Sequence, residues 1–314
     1  MPAAVLEAMS EHRARLERLA ERRTLIPLKR LYDEAGAELE RKLAAAARGR
    51  AGDTMTAYQQ RMLLAQVKEG KVRLARSMAG TLGDASQDAQ VDALRGLTRD
   101  VARLERQFRG ATVTLPIEQA ARFRGVVDRR RTSLLRMHAT SMARYGAQTI
   151  GRMERELSLS LATGETTGSA IDRVMRVDDM EWYRAERIGR TETAWAFGAT
   201  TADGIAESAE ALPGLMMRWS EYVDDATGRP LDDRVAVDSL AMHGQVTAAG
   251  DVFTMPSSSP VADAKGRTQV PPALVGLTWS HPPNRPNDRA VLQPFRKEWG
   301  IPGWVWRGGR RVSV

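Results

Sequence analysis

Residues 187–198 read RIGRTETAWAFG, an Arg–Thr–Glu step set inside an otherwise helical pattern. On a 3.6-residue wheel Ile188, Glu192, Trp195 and Ala199 share one stripe, with Thr191 at its edge. A carboxylate therefore stands in the middle of an apolar face. An isolated buried carboxylate is costly, so Glu192 is expected to be neutral or paired with a cation. Its own helix offers little, because Arg187 and Arg190 point to other faces of the wheel. The stretch implies a helix packed on another part of the chain, which supplies that cation.

Toward the N-terminus the pattern is helical almost throughout. The seven Trp lie at 182, 195, 219, 279, 299, 304 and 306, so the first 181 residues hold none. That part is rich in Ala, Leu, Arg and Glu and poor in Pro, as long helices are. The pattern predicts helices over 2–24, 27–48, 55–78, 85–109 and 116–161, with a break at 48–53. The last exceeds the usual length of a globular helix and calls for pairing with other helices or with another chain. TGETTGS (163–169) breaks it, a short helix follows to about 176 with Ser169 as its cap, and Asp179 caps a helix over 180–211.

After Pro213 the grammar changes. LMMRWSEYV (215–223) alternates as a strand, 224–230 is a turn, and Asp232 caps a short helix through Met242 that Gly244 stops. A turn and a short strand follow over 248–256, then a Pro-rich stretch over 270–286, and AVLQPF (290–295) closes a small sheet. The expected fold is mainly α: long N-terminal helices, then a short-stranded, loop-rich α+β module. Its expected divisions are 1–163, 164–298, and a Trp/Arg-rich tail over 299–314.

Composition narrows the function. No run approaches the roughly 18 apolar residues of a membrane span, and the N-terminus lacks the apolar core of a signal peptide. Cysteine is absent, which removes disulfides and thiolate metal sites, and there are only four histidines, His12, His138, His243 and His281. The net charge of +8 is uneven: residues 101–150 hold ten Arg against three acids, whereas 151–210 hold seven Arg against twelve. A local anion-facing surface is expected.

Three segments in order resemble the phage head morphogenesis family, the Mu-type minor head proteins. The first is TGETTGSAIDRVM leading to RAERIGRTETAWAFG, with Arg187, Arg190, Thr191 and Glu192. The second is RWSEYVDDATGRPLDDRVAVDSLAMHGQ, with Trp219, Asp224, Arg234, His243 and Gly244. The third is VFTMP followed by HPPNRPNDRAV, with Pro286, Asn287, Asp288 and Arg289. The match spans about 157–292, under half of the chain. Cys and His of many relatives are replaced here by Val237, Asp288 and Ala290, so no metal site or cofactor is carried over. The resemblance implies a minor capsid protein, made in the host cytoplasm and housed in the virion, in the head interior or at the portal vertex. It further implies few copies, a role in head assembly beside portal, coat or scaffold protein, and in some cases contact with double-stranded DNA.

Four candidate sites follow. Glu192 with Arg289 or Arg234 is read as a structural ion pair joining the long helix to the α+β module. Arg122, Arg124, Arg129, Arg130, Arg131 and Arg136 are read as a solvated or partner-facing surface, or as nonspecific phosphate contacts. Trp304 and Trp306 either anchor a partner or fold onto the chain's own core. His243 is read as a helix C-terminal residue favoured by the dipole. With His281, Asp224, Asp225 and Asp288 it defines the competing reading, a metal-dependent hydrolase or nuclease. A free-standing helical DNA-binding protein is the other competitor. The expectation adopted is a non-enzymatic head protein with no catalytic residues.

Overall fold

A computed structural model of the chain describes residues 2–221, 223, 229–231, 235–284, 290–307 and 310–314. Four long helices come first: α1 (Pro2–Ala46), α2 (Ala57–Arg109), α3 (Ala120–Ala162) and α4 (Thr167–Ala209), with a 3-10 turn at Pro116–Glu118. Then come β1 (Met216–Ser220), α5 (Val237–Met242), β2 (Val246–Ala248), β3 (Phe253–Thr254), β4 (Thr278–Trp279), β5 (Val291–Phe295), β6 (Trp304–Arg307) and β7 (Arg310–Ser313). The mainly α class with a small β-containing module is as the sequence predicts. Among the described residues no helix is long and apolar enough to cross a membrane.

Several expected breaks are absent. α1 runs through Pro27, because the neighbouring Leu28 is fully buried and its packing outweighs one lost backbone bond. α2 continues through Gly80 and Gly83, and a Cβ at Gly83 would lie 2.5 Å from Leu135 Cδ2, so that glycine makes room for a neighbour. α4 is continuous from Thr167, with Thr166 rather than Ser169 as its cap: Thr166 Oγ1 accepts the Ser169 N–H at 3.2 Å. Asp179 caps nothing, since the helix passes through it.

The chain forms two compact units that cut across the expected boundary at 163/164. One comprises Arg22–Ala85 and Thr132–Arg190; the other comprises Met1–Glu21, Ser86–Arg131 and Thr191–Val314. All four long helices contribute to both. A 20-residue helix already spans a small domain, so helices of 43–53 residues cannot bury their stripes in a single core.

The first unit is a helical bundle. Leu39, Leu43, Leu63, Val67, Met153, Leu157 and Val174 form one apolar cluster; Leu28, Leu74, Met78, Leu82, Met142 and Ala185 form another. The i, i+4 spacing in each helix aligns these on one face. Thr56 and Gln59 form a reciprocal capping box at the start of α2, with bonds of 2.7 and 3.2 Å. The Met55 N–H donates to Glu165 O at 2.9 Å and the Thr167 N–H to Asp53 O at 3.0 Å, tying the two interhelical loops together.

The second unit joins helical segments to the strands. β2–β1–β5 form an antiparallel sheet, and β3–β4 and β6–β7 form two-stranded pairs. Trp219, Phe253, Phe295 and Trp299 pack with Leu94, Leu97, Leu104 and Ile205 in one core. A Cβ at Gly204 would lie 2.7 and 2.8 Å from Leu94 and Leu97, so α4 and α2 approach closely there. Residues 299–314, expected as a separate tail, belong to this unit, with Trp299 fully buried and β6–β7 paired as a hairpin.

Candidate functional site

Glu192 is 9% exposed, as expected for a carboxylate on the packed stripe of α4. Its two assigned partners, Arg289 and Arg234, lie outside the described residues, as do Asp224, Asp225, Pro286, Asn287 and Asp288. One turn further along α4, the Trp195 ring meets His281 edge-on, with centroids 4.9 Å apart and planes at 73°. Gly198 lets the Pro282 carbonyl approach the helix so closely that any Cβ would collide with it. The next turn carries Asp203, which accepts both arms of the Arg130 guanidinium at 2.7 and 2.9 Å. That guanidinium also stands 6.0 Å from the Trp195 ring. The bidentate bond, followed by the Coulomb attraction of Asp203, raises the Arg130 pKa against the opposing effect of burial.

Half of the six arginines singled out in this segment pair with acids of α4. Arg129 pairs with Glu207 at 3.1 Å, and Arg122 approaches the same carboxylate at 3.6 Å. Arg122, Arg129 and Arg130 therefore each have an acid of α4 as a partner. The basic window and the acidic window that follows it were the visible signal, and they meet each other. Arg124, Arg131 and Arg136 are exposed. In the bundle, Arg187 is exposed and Arg190 bonds Glu186 at 2.7 Å, so both leave the stripe as expected.

The two histidines are held in different neutral forms. The Glu221 N–H donates to His243 Nδ1 at 3.1 Å, which makes that nitrogen an acceptor. Burial, then Arg218 and Arg311, push the His243 pKa down to about 3. Gly244 stops α5 with φ +78°, as predicted, but His243 is no dipole-favoured cation: it sits uncharged beside two arginines. His281 Nδ1 lies 2.7 Å from Pro282 O and so carries the proton. Burial lowers its pKa to about 4, with Arg130 adding to the effect and the Pro282 bond and Asp203 opposing it. Among the described residues no three His, Asp or Glu side chains converge on a cation position.

The α+β module closes around Trp219, which is fully buried, edge-on to Phe253 at 5.3 Å, and donates through Nε1 to Glu221 at 3.3 Å. Trp304 folds onto the same module: its Nε1 donates to His243 O at 2.8 Å and its backbone N–H to Gly244 O at 3.0 Å. It is therefore part of the module's own packing, not a free anchor. The side chain of Trp306 lies outside the described residues.

Two buried ion pairs escaped the sequence reading. Glu105 of α2, 1% exposed, accepts from Arg296 at 2.5 Å and from Trp299 Nε1 at 2.8 Å, and Arg296 also donates to Pro213 O at 3.0 Å. In the bundle, Lys71 and Asp178, each 2% exposed, form a pair that Tyr32 joins through its hydroxyl, donating to Asp178 Oδ1 at 2.8 Å. Glu105, Lys71 and Asp178 each stand among apolar residues at helical spacing, which is the signal that singled out Glu192. Comparisons of the chain with family models, curated proteins and solved structures find no match.

Proposed function

We propose that this chain is a minor capsid protein of a phage head, acting in head assembly at or near the portal with nonspecific contact to duplex DNA. The observation that carries the reading is the meeting of the three segments in which the resemblance resides. Trp195 and Gly198 of the first touch His281 and Pro282 of the third. Trp219 of the second touches Phe253 of the third. Three weak patterns matched by chance carry no requirement to pack on one another, whereas parts of one module do.

In this reading the long helices offer assembly surfaces to portal, coat or scaffold protein. DNA contact falls to exposed cations of α3, beginning with Arg131 and Arg136. The role is non-enzymatic, and His243 and His281 serve the module's own packing, each with a ring nitrogen engaged by the backbone. The test is deletion of the gene from the phage or prophage that carries it. Heads that fail to form or to retain DNA are expected, with rescue by the intact gene. Normal particle yield and infectivity without it would overturn the proposal.

A further inference from the structure

With Arg122, Arg129 and Arg130 turned toward α4, the arrangement of the β6–β7 hairpin gains weight. Its register places Trp304 opposite Ser313, Val305 opposite Val312, Trp306 opposite Arg311 and Arg307 opposite Arg310. Directly opposed residues share a face, and faces alternate along each strand. Trp304 and Arg311 therefore lie on one face, and that face is fixed. Arg311 donates to Ala241 O and Ser258 O, both at 2.8 Å, and its guanidinium stacks 4.5 Å from the Trp304 ring.

The other face carries Val305, which packs against the core, with Val312 opposite it, and beyond them toward the turn Arg307 and Arg310. Both arginines are exposed, and Val312 is 42% exposed. Like charges directly opposed on a strand pair repel, so Arg307 and Arg310 favour an anion between or across them. Among the described residues neither forms an ion pair with an acid of this chain. Residues 296–314 hold five cations and one acid, so the local field has one sign.

We infer that the exposed end of the β6–β7 hairpin is a phosphate-contact surface for duplex DNA, with Arg307 and Arg310 gripping the backbone. A two-stranded ribbon has the width that the DNA major groove admits. Guanidinium forks match pairs of phosphate oxygens, and a hairpin already fixed on its inward face has little left to order on binding. Contacts made to phosphate oxygens carry no sequence information, so binding is expected to be indifferent to sequence. The inference rests on the DNA-contact part of the function proposed above and not on the assembly part.

The test is fluorescence anisotropy of the full chain with a labelled random-sequence duplex over a series of salt concentrations. The variants are R307A/R310A, R307Q/R310Q and, as a comparison, R124A/R131A/R136A, each checked for fold by circular dichroism. The Gln variant removes the same charges while keeping length, and replaces the Ala variant should that one unfold. Loss of two phosphate contacts should flatten the slope of log K against log salt by about two and weaken binding near 0.1 M salt by roughly tenfold or more. Binding by the unaltered chain with an unchanged slope in both hairpin variants would overturn the hairpin site and leave DNA contact to α3. No binding by the unaltered chain at low salt would overturn hairpin and DNA contact together, leaving head assembly to its own test. Polyglutamate competing as well as unlabelled duplex would overturn DNA as the ligand in favour of an acidic protein segment.

Discussion

Each of the two compact units buries an acid against a cation, and the two pairs do different work. In the bundle, Lys71, Asp178 and Tyr32 all come from helices, and their cluster sits among Leu and Met side chains. Sliding one helix past another would leave a buried charge without its partner, which opposes a change of register. In the other unit, Glu105 belongs to a helix while Arg296 and Trp299 follow the last strand of the sheet. That pair fastens an irregular module to a helical platform. The helices alone specify the first unit, whereas the second depends on contacts between residues nearly two hundred positions apart.

Trp fluorescence separates the units experimentally, since Trp182 alone lies in the bundle while the other six lie in the second unit. The largest effect is expected from Lys71→Met, which leaves Asp178 buried without its cation, at about 3–5 kcal/mol. Helical ellipticity should melt earlier while the Trp signal changes little, and K71M/D178N should recover most of the loss. A Trp transition that shifts equally would show that the units do not melt separately.

Glu105→Gln should cost about 2–3 kcal/mol, because Gln keeps an acceptor for Trp299 but removes the counter-charge of Arg296. Here the Trp emission should shift red and the segment after Pro213 should become protease-sensitive, with bundle ellipticity retained. Gly198→Ala should cost about 1–3 kcal/mol by driving Pro282 off α4. Gly125→Ala, in α3 with no atom near its added Cβ, should instead be neutral or stabilising by up to about 1 kcal/mol. Thermal melts of the two variants side by side check this.

Acid should weaken the second unit through its histidines. His243 and His281 stay neutral in the folded chain down to about pH 3 and pH 4, whereas unfolded His takes up a proton near 6.5. Their contribution is complete above pH 6.5 and is lost as pH falls, by up to about 1.4 kcal/mol per pH unit for each, levelling off below the folded values. The Trp-monitored melting temperature should therefore decline from pH 6.5 toward 4, less steeply in His281→Gln. An equal slope in that variant would remove His281 from the account.

The helical class, the strands near Met216–Ser220 and Val291–Phe295 and the stop at Gly244 were legible because each rests on local periodicity or turn chemistry. The unity of α1, α2 and α4 was not legible, because Pro27, Gly80 and Asp179 look like breaks until the residues packed around them are known. The Arg130–Asp203 pair was half legible: two windows of opposite charge stood side by side in the sequence, and nothing local said that each was the other's partner. Glu105 and Lys71 carried the same mark as Glu192, a charge on an apolar stripe. Asp178 carried it too, but over separations of 191 and 107 positions nothing local said which cation and acid would meet.

The proposed function meets its most direct test in mass spectrometry of purified, DNA-filled particles induced from cells that carry this gene. The account predicts this chain in those particles at a few copies per head, held with the portal after the capsid is opened. Its absence from both filled heads and their assembly intermediates would contradict it.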